Sequence, residues 1–256
     1  MLEEELSFAN EVADEAARIA LSSFGSDPRV RLKPDRTPVT EADEAIEAMV
    51  RERVAARFPG DAILGEEGGG AGDGSRRWIV DPIDGTKNFA DGVQLWATLL
   101  ALEVDGALVL GLVSAPALGE RYEAVRDQGA RLNGEPIHVS RADRISRAFV
   151  CYADVHEWLD DPAGPALLEI VRSSRRNRGF GDFWGHCLVA RGAADVMFEP
   201  SLSTWDYAAC RVIVEEAGGT MTRFDGGPVE HGGSVLTSNG ILHDELVARL
   251  RPTARG

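Results

Sequence analysis

The stretch Trp78-Ile-Val-Asp-Pro-Ile-Asp-Gly-Thr-Lys-Asn-Phe89 decides how the rest of the chain is interpreted. Its apolar start, Trp78-Ile79-Val80, predicts a buried strand that stops at Asp81-Pro82, because proline cannot donate to a strand ladder. Asp84-Gly85 continues the turn, and Thr86 is expected to cap a short helix. Two carboxylates therefore lie three residues apart on a tight turn at a strand end.

The carboxylates of Asp81 and Asp84 repel each other unless a positive charge lies between them. A divalent cation supplies that charge, and Mg²⁺ prefers oxygen ligands while keeping waters and substrate phosphates in its remaining positions. The backbone N–H groups of Gly85 and Thr86, at a helix start, can receive an anion. Taken alone, the loop fits a cation-and-phosphate site and an ordinary Asp-Pro/Asp-Gly turn about equally well.

Length and composition indicate a globular protein of 256 residues with one large or two small domains. The net charge of -15, from 42 acidic and 27 basic residues, argues against nucleic acid and anionic membranes as partners. Three cysteines without a CxxC pair predict reduced thiols in a cytoplasmic protein. The start at 1–5 does not have the pattern of a signal peptide, and the most apolar run, 107–113, is too short to span a bilayer.

Hydrophobic periodicity in the first half predicts two helices, at residues 3–24 and 41–57, joined by a loop. A short strand at 62–64 leads straight into Gly65-Glu66-Glu67. After the central stretch, a hairpin is expected around the turn Asp105-Gly106, followed by further antiparallel strands. The first half is therefore predicted to be two helices followed by a mainly antiparallel sheet.

From about residue 145, strands alternate with helices, which is typical of an α/β unit. The predicted elements are strands at 149–151, 179–180, 196–198, 220–222 and 235–237, and helices at 166–172, 183–190, 205–217 and from 243 onward. We expect an N-terminal α+β half at 1–143 that binds metal and phosphate and a C-terminal α/β half at 144–256, with the active site between them.

Further charged residues stand at predicted strand ends and helix starts, and each has an ordinary structural explanation. Glu66 fits a solvated loop, and Asp206 fits a favourable charge at a helix N-terminus. Thr40-Glu-Ala-Asp43 fits a capping box with Asp in place of Glu. Lys33 is by default a surface lysine. Their joint occurrence, in order along the chain, favours a functional role.

Three motifs together resemble those of the inositol monophosphatase superfamily: Gly65-Glu66-Glu67, the stretch 78–89, and Trp205-Asp-Tyr-Ala-Ala209 with Glu216-Ala-Gly-Gly219. The resemblance covers nearly the whole chain. It implies an α/β sandwich of alternating helix and sheet layers in the order αβαβα, usually a homodimer. The implied activity is that of a lithium-sensitive, Mg²⁺-dependent phosphomonoesterase acting on a small phosphate ester.

The resemblance also implies roles for individual residues. The implied ligands of two or three Mg²⁺ ions are the carboxylates of Glu66, Asp81, Asp84 and Asp206 and the backbone carbonyl of Ile83. Thr86 is expected to position the attacking water, and Asp43 to hold a weakly bound cation through waters. With Glu66 they form the expected catalytic set, while Gly85 and Thr86 are expected to hold phosphate. This agrees with the chemistry, because phosphoryl transfer depends mainly on positioning and charge neutralisation.

The substrate is suggested by two other stretches. Gly181-Asp-Phe-Trp184 and the run 232–244 resemble the histidinol-phosphate phosphatases of the superfamily, which catalyse the penultimate step of histidine biosynthesis. Histidinol phosphate carries an ammonium group and an imidazole. Asp182 and Glu199 are expected to pair with these groups, and Phe183 or Trp184 to stack on the imidazole. Asp206 is also expected to contact the substrate.

Structural alternatives remain for both substrate residues, since Asp182 could cap the helix at 183–191 and Phe183 could be core. The alternative substrate is inositol 1-phosphate or another small phosphate. A third interpretation is a non-catalytic, metal-dependent binding protein on the same scaffold.

Overall fold

The structure is a computed structural model that describes residues 2–25, 30–32, 38–159 and 161–250. The chain forms two compact units: Met1–Glu135 with Trp205–Ile213, and Pro136–Thr204 with Val214–Gly256. We call them the first and the second unit. The predicted division near residue 143 stays a prediction.

The first unit is built from two long helices and one large sheet. Its elements are α1 (Glu3–Ser23), β1 (Val30–Leu32), β2 (Pro38–Thr40), α2 (Glu41–Arg57), β3 (Ala62–Gly65), β4 (Gly69–Ala71), β5 (Arg76–Asp84), α3 (Thr86–Ala90), β6 (Ala97–Val104), β7 (Ala107–Ala115), β8 (Glu120–Val125) and β9 (Ala130–Leu132). The large sheet runs in the order β10-β9-β8-β7-β6-β5-β3-β4, where β10 is Glu135–Ile137. Among the strand pairs from β4 to β9, only β3 and β5 are parallel, which agrees with the predicted antiparallel run.

One face of this sheet is covered by α1 and α2. The side chains that α1 buries are mostly alanines at helical spacing, so the helix can approach its neighbours closely. Aromatic rings fill the space beside them: the ring of Phe8 lies 5.1 Å from that of Trp78, and the ring of Phe58 lies 5.6 Å from it. The Trp78 indole N–H donates to Asp61 Oδ2 at 3.0 Å. The two predicted helices are confirmed to within one residue at their ends.

Two short strand pairs were not expected from the sequence. The predicted loop between the helices contains β1 and β2, which pair antiparallel with Leu32 opposite Pro38. The glycine-rich tract after Glu67 contains β4, which pairs with β3. Val30-Arg-Leu32 alternates over only three residues and Gly69-Gly-Ala71 does not alternate, so neither has the longer pattern on which strand prediction depends.

The second unit has one mixed sheet with helices on both faces. Its elements are a 3₁₀ turn (Ile145–Arg147), β11 (Phe149–Tyr152), α4 (Val155–Leu159), α5 (Gly164–Ser173), β12 (Arg176–Arg178), α6 (Asp182–Ala190), β13 (Val196–Leu202), α7 (Thr204–Glu216), β14 (Thr220–Thr222), β15 (Gly233–Ser238) and α8 (His243–Leu250). Residues 205–213 of α7 belong to the first unit. The sheet order is β12-β11-β13-β15-β14, with β11 parallel to β12 and β13 and β15 antiparallel to its neighbours.

Alternation along β11 shows how this sheet is covered. Val150 packs with side chains of α5 and α8, whereas Phe149 and Cys151 pack with side chains of α6. Successive side chains of a strand point to opposite faces, so helices cover both faces of the sheet. The predicted α/β character is therefore confirmed.

Several predicted boundaries in this unit are wrong. The strand expected at Gly179-Phe180 is instead β12, whose three residues include two arginines and no apolar side chain. β13 was expected to end at Phe198 but continues to Leu202, because a register shift between Glu199 and Leu202 accommodates Pro200. The helix α4 was not expected. In the part of the chain that the structure describes, no helix has both the length and the apolar character needed to cross a membrane.

Candidate metal centre

A bulge in β5 places the two acids of the central stretch. β5 pairs with β6 at Asp81 opposite Leu99 and at Asp84 opposite Ala97, with a register shift between them. The expectation that the strand stops at Asp81-Pro82 is therefore wrong. The bulge takes Pro82 out of the ladder, and Thr98 Oγ1 donates to the Pro82 carbonyl at 2.8 Å.

The turn after β5 depends on a glycine. Gly85 has φ 80° and ψ 38°, in the left-handed region that glycine adopts without steric cost, and it is the N-cap position of α3. Thr86 is the first residue of that helix, so the expectation that it caps the helix is wrong. Its hydroxyl donates instead to the Ile83 carbonyl at 2.9 Å. The phosphate-holding role of Gly85 and Thr86 stays a prediction.

Three carboxylates converge at this turn. Asp81, Asp84 and Asp206 each offer an oxygen, and these oxygens lie within 4.8 Å of one another. Asp81 is 2% exposed and Asp84 is 8% exposed. Burial raises the pKa of Asp81 well above its ordinary value, and the negative charges of Glu66, Asp84, Asp206 and Asp43 raise it further. The acids that the sequence singled out therefore act on one another.

The donor set fits a hard divalent cation. Within the described part of the chain, the buried Asp81 Oδ1 has no hydrogen-bond partner, although buried polar atoms rarely lack one. Only oxygen donors are present in the group of three, and oxygen is the ligand that Mg²⁺ prefers. The residues that would hold the ion are the three aspartates with Glu66 and the Ile83 carbonyl. Their individual roles as ligands stay predictions.

Asp43 serves the fold and also faces the cluster. The predicted capping box is confirmed: the Thr40 N–H donates to Asp43 Oδ2 at 2.8 Å, and the Asp43 N–H donates to Thr40 Oγ1 at 3.4 Å. Its other oxygen, Oδ1, lies 3.5 Å from Thr86 Oγ1. Burial raises the pKa of Asp43 to about 6 against the lowering effect of Thr40, and the charge of Glu66 adds to the increase.

Two residues with a part in this arrangement were missed in the sequence. A Cβ on Gly111 of β7 would lie 2.4 Å from the Ala209 carbonyl oxygen, so glycine lets α7, which carries Asp206, approach the sheet. Glu47 of α2 is 2% exposed and accepts the N–H groups of Glu67 and Gly68. The available signals were a lone glycine inside a strand and an acid between the apolar residues of a helix.

Three of the residues predicted to bind the substrate, Asp182, Phe183 and Glu199, lie in the second unit. Gly181 is the N-cap position of α6 and Asp182 its first residue, with φ 56°, so the structural alternative of Asp182 as the cap is wrong. Glu199 is 3% exposed, and its Oε1 lies 3.7 Å from the position a Cβ on Gly181 would take. The two acids thus belong to one locality of the unit.

The position of Phe183 agrees with its structural alternative, since its side chain is 1% exposed. The roles of Asp182, Glu199 and Phe183 toward substrate stay predictions, and Lys33 lies outside the described residues.

Comparison with known proteins identifies the family. The model of the inositol monophosphatase family matches residues 1–254. The histidinol-phosphatase of Streptomyces coelicolor is 44% identical, over 96% of this chain and 97% of its own length, and that of Mycobacterium tuberculosis is 43% identical, over 98% and 99%. The structure of the Thermotoga maritima IMPase has a TM-score of 0.88 at 31% identity and covers 96% of both chains. The chain therefore belongs to the inositol monophosphatase family.

Proposed function

We propose that this protein is a Mg²⁺-dependent phosphomonoesterase that hydrolyses L-histidinol phosphate to L-histidinol and phosphate. The observation that carries the reaction class is the convergence of Asp81, Asp84 and Asp206, whose oxygens lie within 4.8 Å of one another at the end of β5. The substrate is supported by the similarity to two histidinol-phosphatases, which exceeds the similarity to the IMPase.

Two or three Mg²⁺ ions are proposed to be held by Glu66, Asp81, Asp84, Asp206 and the Ile83 carbonyl. Held by these residues, Mg²⁺ would neutralise charge on the phosphate and on the leaving oxygen and would favour formation of the nucleophile. This also accounts for an anionic substrate in a protein with a net charge of -15. The ligand carboxylates also benefit, because the cation relieves their mutual repulsion.

Thr86 is proposed to orient the attacking water. Its hydroxyl hydrogen is directed to the Ile83 carbonyl at 2.9 Å, which leaves the lone pairs of Oγ1 free to accept an O–H from water. Asp43 Oδ1, 3.5 Å from the same oxygen, adds negative charge on that side, and Glu66 completes the catalytic set. These contacts position a reactant, which is the main requirement of phosphoryl transfer.

Specificity is proposed to come from Asp182 and Glu199, which would pair with the ammonium and imidazole groups of histidinol phosphate. The buried side chain of Phe183, the residue after Asp182, would hold the start of α6 in place. The alternative substrate is inositol 1-phosphate, which the structural similarity to the IMPase favours. That compound offers hydroxyl groups and no organic cation, so the proposed charge-assisted contacts would not form with it.

Phosphate release from purified protein tests these statements directly. The assay compares L-histidinol phosphate, inositol 1-phosphate and p-nitrophenyl phosphate, each with MgCl₂ and with excess EDTA. We expect the highest kcat/KM with histidinol phosphate and no release in EDTA. A preference for inositol 1-phosphate would favour the alternative substrate. Full activity in EDTA would refute the metal mechanism, and no release from any ester would favour a binding protein.

The protein is also proposed to be a homodimer. Light scattering coupled to size exclusion would then give twice the chain mass of 27.6 kDa.

A further inference from the structure

A buried carboxylate on α2 organises the loop that carries Glu66. Glu47 follows Asp43 by one helical turn and is 2% exposed. Its Oε2 accepts the N–H of Glu67 at 2.7 Å, and its Oε1 accepts the N–H of Gly68 at 2.7 Å. The loop residues just after Glu66 are therefore tied to α2 through their backbone.

An arginine completes this arrangement. Arg51 Nε donates to Glu47 Oε1 at 2.8 Å, and Arg51 Nη2 donates to the Gly69 carbonyl at 2.6 Å. The ion pair between α2 residues one turn apart thus makes three hydrogen bonds to the backbone of residues 67–69. A buried charge is costly unless it is paired and hydrogen-bonded, and here both conditions are met.

The glycines around Glu66 and Glu67 make room for this carboxylate. A Cβ on Gly65 would lie 2.4 Å from Glu47 Cδ, and a Cβ on Gly68 would lie 2.7 Å from Glu47 Oε1. Any side chain at either position would displace Glu47 or the loop. The absence of side chains at Gly65 and Gly68 therefore leaves the space that the Glu47 carboxylate occupies.

We propose that Glu47 is a positioning residue for the metal centre, acting through the loop that holds Glu66. Glu66 lies next to the cluster, because Gly65 of β3 pairs with Val80 of β5, so that Glu66 and Asp81 follow directly after paired residues of neighbouring strands. Fixing the backbone at residues 67 and 68 restricts where the Glu66 carboxylate can lie. The inference rests on the proposed Mg²⁺ site but is independent of which phosphate ester is hydrolysed.

The test is the affinity of the metal-stripped protein for Mg²⁺ alone, measured by isothermal titration calorimetry for Glu47→Gln. Glutamine keeps the size but has one carbonyl oxygen for two N–H donors, and its NH₂ opposes Arg51 or one of those donors. We expect Mg²⁺ affinity to fall by about tenfold or more, as for other groups that orient ligands. In the phosphatase assay, kcat should recover at saturating Mg²⁺, which a general loss of structure would not allow.

Glu52→Gln is the matched control, because Glu52 is an exposed acid on the same helix. It removes the same charge and should leave Mg²⁺ affinity unchanged. Unchanged affinity in folded Glu47→Gln, or an equal loss in Glu52→Gln, would overturn the proposal. If Glu47→Gln does not fold, Arg51→Gln decides, with a smaller loss of affinity expected and an unchanged affinity overturning the proposal. Absence of Mg²⁺ binding in the unmodified protein would instead refute the proposed metal mechanism.

Discussion

The acidic residues of the two units are held in different ways. In the first unit, the oxygens of Asp81, Asp84 and Asp206 lie within 4.8 Å of one another, and burial and repulsion raise the pKa of Asp81. In the second unit, Glu199 is buried within β13, and Asp182 begins α6 with φ 56°. The first arrangement brings three carboxylates together, whereas the second places one acid on a strand and another at the start of a helix in the same locality.

Because of this difference, the two regions support different kinds of conclusion about function. Like charges at such distances must be protonated or share a cation, which restricts the chemistry of the first region to a small number of possibilities. Two acids on separate elements are compatible with structural roles as well as with recognition of an organic cation. The first region therefore supports a reaction class, and the second supports a choice among substrates that only substitution can test.

The largest expected effect is that of Asp84→Asn in the first region. Removing this charge while keeping the size should lower kcat/KM for every ester by orders of magnitude, because a proposed ligand of the activating cation is lost. Thermal unfolding in EDTA should show an equal or higher Tm, because repulsion with Asp81 is relieved. A near-normal rate at saturating Mg²⁺ would show that Asp84 is not a ligand.

The next largest effect is expected for Thr86→Ala, which should reduce kcat by roughly a hundredfold and leave KM little changed. In the proposed mechanism the hydroxyl acts on the attacking water, an interaction that matters mainly in the transition state. Thr86→Ser keeps the hydroxyl that donates to the Ile83 carbonyl and should retain most of the rate. Steady-state kinetics with histidinol phosphate measure both variants. An increase in KM alone would make Thr86 a binding residue.

Asp182→Asn tests the second region separately. It should lower kcat/KM for histidinol phosphate by roughly ten- to a hundredfold, the size of one charge-assisted contact, and leave p-nitrophenyl phosphate unaffected. Asparagine tolerates the positive φ of 56° at this position, so the substitution isolates the charge. Equal losses on both esters, or none on either, would refute a substrate role for Asp182.

The smallest expected effect is a pH dependence of Mg²⁺ binding. The pKa of Asp43 is raised to about 6, so this carboxyl is ionised at pH 7 and mostly protonated at pH 5. Protons then compete with the cation, and affinity should fall by about tenfold from pH 7 to pH 5. Calorimetry at the two values measures it, with Asp43→Asn expected to show a weaker dependence. Equal affinity at both values would contradict the prediction.

The acids of the first region could be singled out from the sequence because most of them lie in short, local motifs. Asp81, Asp84 and Gly85 lie within five residues at the bulged end of β5, and the capping box of Thr40 and Asp43 spans a single helical turn. The errors there concern geometry: a proline in a bulge and a proline in a turn have the same local signature, so the end of β5 was placed too early.

Residues whose roles depend on distant contacts were not predicted. Glu47 is defined by the loop at Glu67, and Gly111 by a carbonyl of α7. Nothing within a few positions of either residue carries that information. The same limit explains β12, where arginines form a strand only because β11 lies beside them and Phe149 faces Arg176. Tertiary contacts outweigh local propensity at such positions.

The contact at Gly111 bears on how this site can change. Where β7 meets α7, the Ala209 carbonyl faces a strand residue that has no side chain. Backbone atoms have no side-chain rotamers that could adjust the distance between β7 and α7 at this point. That distance is therefore fixed. Because Asp206 lies on α7, its position relative to the sheet is fixed as well. Variation of the scaffold toward other phosphate esters should therefore accumulate where side chains mediate the packing, and the separation of sheet and helix should stay constant.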